Sequence, residues 1–124
     1  MRTTSVLTLA LLFGTAGCTG PTAPSDTALA GTVVRGPIQP VCQVDLPCEA
    51  PFSAGFTVRQ GVRVAASFRS DSLGRFEVQL PRGTYVVVPD PDAPIFSPGA
   101  QAKEVVVGAN GQTTVVLHFD TGIR

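Results

Sequence analysis

The sequence predicts an all-β domain, a sandwich or a barrel, within a chain of 124 residues. Three observations lead there. Helical periodicity is absent after Cys18, apolar and polar residues alternate with a period of two, and 13 Gly and 11 Pro punctuate the apolar segments. That Gly and Pro content stops short of the disordered range. The length allows one domain with a modest core.

The strands follow in order. LAGTVVRG, from Leu29 to Gly36, supplies the first, and GFTVRQ, from Gly55 to Gln60, the second. In VRVAASFRSD, Val62, Val64, Ala66 and Phe68 are expected on one face, with Arg63, Ser67 and Arg69 on the other. GRFEVQL repeats the pattern, with Phe76, Val78 and Leu80 inward and Arg75, Glu77 and Gln79 outward. Between these two, SDSLG carries hairpin chemistry in Asp71 and Gly74. Pro81 to Gly83 make the next turn, into TYVVVPD. After the irregular PDPDAPIFSPGA, the alternation resumes in KEVVVGANGQTTVVLHF. Its Asn110-Gly111 pair is the strongest short hairpin signal in the chain. Beyond it Val115, Leu117 and Phe119 alternate with Thr114, Val116 and His118. About seven strands result.

The middle of the chain, SDSLGRFEVQLPRGTYVVVP, resembles the carboxypeptidase regulatory-like modules. Gly31 and Val33 fit the Gly-x-Val first strand of that family. Asp71, Gly74 and Phe76 fit its second element, and Leu80, Pro81, Gly83 and Tyr85 its third. The resemblance spans roughly residues 28–119 and implies a seven-stranded transthyretin-like β-sandwich. In such a fold Gly74 takes a positive φ, Phe76 opens the inward face, and Tyr85 plugs the sandwich while its hydroxyl finds a partner. These are scaffold positions. The transthyretin-like hydrolases of purine breakdown use several histidines and a tyrosine-arginine-glycine-serine tail. This chain has only His118 and ends FDTGIR. An adhesin-type isopeptide needs Lys and Asn on distant strands, whereas Lys103 and Asn110 flank one short turn. The carboxypeptidases keep their zinc site in a separate domain, which is missing from this chain.

The first residues read as an export signal. Arg2 precedes a mainly apolar run from Val6 through Phe13, shorter than a bilayer-spanning helix needs. Ala16, Gly17 and Cys18 resemble the lipobox of bacterial lipoproteins, with Thr15 where leucine is usual. The resemblance implies a signal peptide over residues 1–17 and lipidation of Cys18. An ordinary signal peptide and a retained anchor helix are the alternatives. Cysteine parity favours lipidation: with Cys18 modified, no odd thiol remains among the three cysteines. Two or three acyl chains hold almost irreversibly, at about 0.8 kcal/mol per buried CH₂. Thr19 is not the aspartate that resembles an inner-membrane retention signal, so in a host with two membranes the outer one is expected. Residues 18–27 form the lipidated cysteine and a tether, TGPTAPSDT, whose nine residues reach about 25 to 30 Å when extended. Residues 28–124 form the sandwich domain.

Charge excludes one class of partner. Nine basic residues balance nine acidic ones, scattered singly. A nucleic-acid surface wants a basic stripe. Cys42 and Cys48, in VCQVDLPCEAP, are expected to form a disulfide if the chain is exported. A zinc site, for which further Cys or His ligands are lacking nearby, and a pair of reactive thiols are the other readings. Asp90 and Asp92 read as turn aspartates rather than a calcium site. His118 has no motif-placed Ser, Cys or Asp to form a relay, and no G-x-S-x-G, H-E-x-x-H or phosphate loop occurs. A small hydrolase centred on His118 needs a hydroxyl or carboxylate beside the ring in a pocket. Arg59, Arg63, Arg69 and Arg75 could gather on one sheet face.

The expectation is therefore a non-catalytic, lipid-anchored envelope module, with no catalytic, cofactor or metal residues. Its partners would be a membrane, through the anchor, and an envelope protein or glycan. The contact surface would be the Gly36–Ser53 loop and the Asp90–Ala100 loop, provided they meet at one end. A purely structural envelope role is the alternative.

Overall fold

The computed structural model describes residues 26–124; the expected signal peptide over residues 1–17 and the expected lipidation site Cys18 lie outside the described residues. Eight strands are present there: β1 (Ala28–Gly36), β2 (Ala50–Pro51), β3 (Gly55–Gln60), β4 (Arg63–Arg69), β5 (Arg75–Gln79), β6 (Gly83–Pro89), β7 (Lys103–Val107) and β8 (Gln112–Asp120). Seven match the expected strands. The two-residue β2 lies inside the long loop that the alternation pattern left unassigned.

The strands form two four-stranded sheets. In the first, β1 is central. It pairs in parallel with β8 along its whole length, from Ala28↔Gln112 to Gly36↔Asp120. Its other side pairs antiparallel with β5 and then with β2. The second sheet has the antiparallel order β4-β3-β6-β7. Leu29, Val33, Leu80, Leu117 and Phe119 from the first sheet meet Phe56, Val58, Tyr85, Val87 and Val107 from the second, all buried. Each such side chain contributes about 1.5 to 3 kcal/mol of burial. Phenylalanines bridge the layers: Phe68 stacks on Phe56 at 5.0 Å and on Phe76 at 4.3 Å between ring centroids.

Two expectations need correction. The turns at Asp71–Gly74 and Asn110-Gly111 do not close hairpins, because their arms belong to different sheets: β4 and β7 to the second, β5 and β8 to the first. The Pro81–Gly83 turn crosses in the same way, from β5 to β6. Turn chemistry reports a chain reversal; whether the arms pair is set by where their apolar faces point. Each pair of arms here encloses the core. The tight hairpin is β3–β4, turning at Gly61 and Val62. The second correction concerns Val62 and Val64, which are 98% and 54% exposed. Val58 pairs with Ala66 but Arg59 with Val64, so Ala65 is an extra, bulged residue. A bulge shifts the alternation by one, and Val62 falls in the turn.

The crossings are individually tied. Asp71 Oδ1 accepts from the backbone N–H of Leu73 and of Arg75, each at 2.9 Å. Gly74 has φ +74°, and a Cβ there would lie 2.4 Å from the Val33 carbonyl oxygen. Only glycine fits both demands. Thr27, assigned from sequence to the end of the tether, is buried and hydrogen bonded to the Leu80 carbonyl.

Candidate functional site

The chain leaves β1 at Gly36 and β8 at Asp120, and these residues are register partners. The Gly36–Ser53 loop and the tail after Asp120 therefore begin side by side. Thr121 binds the loop twice, its N–H to the Gly36 carbonyl at 3.1 Å and its hydroxyl to the Pro37 carbonyl at 2.6 Å. The Asp90–Ala100 loop joins through Arg35, whose Nη1 donates to the Pro94 carbonyl at 2.8 Å while its guanidinium lies 5.9 Å from the Phe52 ring centroid. Phe96 N–H donates to the Asp120 carbonyl at 2.8 Å. Gln101 clamps the same residue: its Oε1 accepts from Asp120 N–H at 2.7 Å, and its Nε2 donates to the Asp120 and Phe96 carbonyls. The two loops and the tail thus form one surface, at the end of the sandwich opposite the start of β1.

Cys42 and Cys48 are disulfide-bonded, with Cα atoms 5.4 Å apart. The bridge ties off the loop, and Ile38 N–H reaches across it to the Cys48 carbonyl at 2.9 Å. Exposed apolar side chains concentrate here: Ile38 (40%), Val41 (72%), Val44 (101%), Leu46 (52%) and, on the neighbouring loop, Phe96 (58%). Isolated exposed apolar residues are ordinary; here five lie on two adjoining loops. Ile123, from the tail, lies half-buried in a cleft of about 220 Å³ shared with Ile38 and Pro94. Gly36, Pro37 and the disulfide line a second recess of about 400 Å³. Among the described residues, the Arg35 Nε and Gln39 Nε2 atoms are buried without a hydrogen-bond partner.

The remaining candidates separate. His118 projects from β8, with Nδ1 3.2 Å from Glu49 Oε1. A carboxylate therefore stands beside the ring, as a hydrolase would want, but the side chains are 61% and 52% exposed and, among the described residues, no hydroxyl is bonded to the ring. Asp90 accepts from the Thr57 hydroxyl at 3.3 Å, and its carbonyl accepts from Ala93 N–H, which makes it a turn residue. Among the described residues, no three His, Cys, Asp or Glu side chains gather as a metal-holding group. Arg59, Arg63 and Arg69 lie on the second sheet and Arg75 on the first, so the four do not gather. A recess of about 480 Å³ lies over β1, β5 and β8, floored by Ala30 and Gly31 and open to solvent.

Ser70 carries no signal in the sequence. This buried hydroxyl donates to the Phe52 carbonyl at 2.8 Å and accepts from Ala54 N–H at 3.0 Å, closing the long loop onto the end of β4. Nothing in RSDS marks it out from its neighbours.

The fold defines a class, the all-β sandwich. Within it the chain is similar to a DUF3823 family protein from Bacteroides ovatus, at 17% identity over 76% of this chain and 44% of that one, with a TM-score of 0.54. It is also similar to the minor pilin of Streptococcus agalactiae (16% identity, 78% of this chain and 45% of that one, TM-score 0.50) and to the TIE protein of Bacillus anthracis (14%, 75% and 16%, 0.50). The chain spans less than half the length of each, and at these identities the likeness shows the fold. No family model and no curated protein matches it.

Proposed function

We propose that this chain is a non-catalytic module of the bacterial cell envelope, held to a membrane by lipid on Cys18, and that its disulfide-loop end binds an envelope protein or glycan. The regulatory-like family resemblance belongs to this proposal, carried by Asp71, Gly74, Phe76, Pro81 and Tyr85. The single observation behind the binding role is the joining of the two loops and the tail into one surface bearing Ile38, Val41, Val44, Leu46 and Phe96. The tether meets the domain at Thr27, just before β1 starts at Ala28, and this surface begins at Gly36, at the far end of β1. At about 3.3 Å per residue the two ends stand some 26 Å apart, so the surface is clear of the tether's entry.

The test has two parts. Intact mass of the protein from its native host, with and without reduction, should show a chain beginning at Cys18 with acyl mass and a gain of two hydrogens on reduction. A lipid-free mass would overturn the anchor. Photo-crosslinkers at Val44 and Phe96 on whole cells should capture the same envelope component, and a crosslinker at Val62 should not. Equal labelling from all three would overturn the binding end and favour a structural role.

A further inference from the structure

A sheet edge presents unpaired N–H and C=O groups, and soluble proteins protect their edges with charge, shortness or bulges. Three of the four edges here are protected. β4 has the Ala65 bulge and carries Arg63 and Arg69. β7 is five residues long and begins with Lys103 and Glu104. β5 is also five residues and carries Arg75 and Glu77.

β8 differs. It runs nine residues in unbroken register with β1, and from Gln112 through Phe119 it contains no Pro, Lys, Arg, Asp or Glu. Its backbone polarity can be read from both ends. Thr121 N–H and the Gly111 carbonyl bond toward β1, so odd residues face inward along the ladder. The Asp120 N–H and carbonyl face the opposite way, onto Gln101 and Phe96. The N–H and C=O groups of Thr114, Val116 and His118 therefore line the outer edge, and among the described residues no strand pairs there. The open stretch is bounded by the Gln101–Phe96 clamp at Asp120 and by the turn before Gln112. Its centre is Val116, which is 55% exposed.

We propose that this edge pairs with the same edge of a second copy, antiparallel, about a two-fold axis at Val116. Two considerations select a second copy. The open window is as long on the partner as on the chain itself, so the clamp of one copy meets only the start of β8 in the other. The register opposes no like charges: Val116 faces Val116, Thr114 faces His118, and Asp120 faces Gln112. Three hydrogen-bonded residue pairs then exchange two backbone bonds each, and Val115 of one copy lies beside Leu117 of the other, extending the core. The interface is small, so it is weak in free solution and gains from confinement on a membrane. The two-fold places the tethers at opposite ends of the pair. Each tether reaches about 25 to 30 Å when extended, so both anchors meet one membrane when the strands lie along it.

The test is disulfide trapping in the full-length protein, in native membranes. In a hydrogen-bonded antiparallel pair the facing Cα atoms lie about 5.5 Å apart, within disulfide range. Under mild oxidation Val116→Cys should form a species of twice the chain mass, as should co-expressed Thr114→Cys and His118→Cys. Val106→Cys, on the edge strand β7, should not. Val116→Pro removes an N–H that plays no part in the β1 ladder. Val116→Lys changes only an exposed side chain. In a solubilised sample both variants should run as monomers at concentrations where the parent dimerises; at dilutions where the parent is itself monomeric, Val116→Lys should keep the parent melting temperature, which separates lost pairing from lost folding. Trapping no stronger at Val116 than at Val106, or trapping to a protein of different mass, would overturn the pairing with a second copy.

Discussion

The Tyr85 hydroxyl donates a 2.6 Å hydrogen bond to the Pro81 carbonyl, four residues earlier, across the turn where the chain passes from the first sheet to the second. The ring is buried in the core while the oxygen secures the crossing. Two demands, packing and turn closure, are met by one side chain.

Tyr85→Phe should keep the packing and lose the bond, lowering stability by about 1 kcal/mol in urea unfolding. Burial pushes the phenol above its ordinary value, against an opposing pull from Arg63. A raised folded-state pKa means that the folded state holds the proton more tightly. The associated stability is present below the ordinary tyrosine pKa near 10 and fades as pH rises through the folded value. The parent should therefore lose stability in strong alkali more steeply than Tyr85→Phe; parallel profiles would contradict this.

Ser70→Ala should cost more than its size indicates. It leaves the Ala54 N–H and the Phe52 carbonyl without their partner in a buried site, and such orphaned groups cost about 1 to 3 kcal/mol. A melting temperature unchanged from the parent would show that Ser70 does not hold the loop.

Replacing Cys42 and Cys48 by Ser should lower stability by about 2 kcal/mol on the chain-entropy estimate for so short a loop. Amide exchange at Ile38, whose N–H bonds the Cys48 carbonyl, should accelerate most, because local opening of the loop adds to the global loss, while Val33 and Val87 in the sheet centres should accelerate by no more than the global amount, about thirtyfold. Equal acceleration at Ile38 and at both sheet centres would contradict this.

Asp120 is held below the ordinary carboxylate range, first by its hydrogen bond with Arg124 and then by Gly122 N–H. A lowered pKa means that the contact favours folding above the ordinary carboxylate value and weakens as pH falls through the depressed one. NMR titration should place Asp120 below free aspartate, and Arg124→Ala should return it part of the way. Identical titration in both proteins would remove Arg124 as the cause.

Much of the domain was legible because a strand with one buried face repeats every two residues, and that repeat survives in the sequence. Phe76, Val78 and Leu80, or Leu117 and Phe119, announce their inward face without reference to anything distant. So does the turn chemistry of Asp71, Gly74 and Gly111. Tyr85 was legible only through the family motif that Leu80, Pro81, Gly83 and Tyr85 resemble. The disulfide was legible through proximity along the chain and the inferred export.

Other features depended on distant partners, and no local pattern records them. Which arms pair across a turn depends on which sheet receives each strand, so the Asn110-Gly111 signal correctly marked a reversal and wrongly implied a hairpin. The Ala65 bulge is a mismatch between two strands and exists only once they are in register. Ser70 matters because Phe52 and Ala54 arrive beside it. The joined loop surface exists because parallel β1 and β8 finish together, bringing Thr121 to Pro37 and Arg35 to Pro94. The sequence alone determined the class of fold, seven of the strands and most of their inward faces, because periodicity is a local property of the chain. The tertiary structure decided pairing, the joined loop surface and the open β8 edge, because hydrogen bonds between residues tens of positions apart are settled only when the two sheets close.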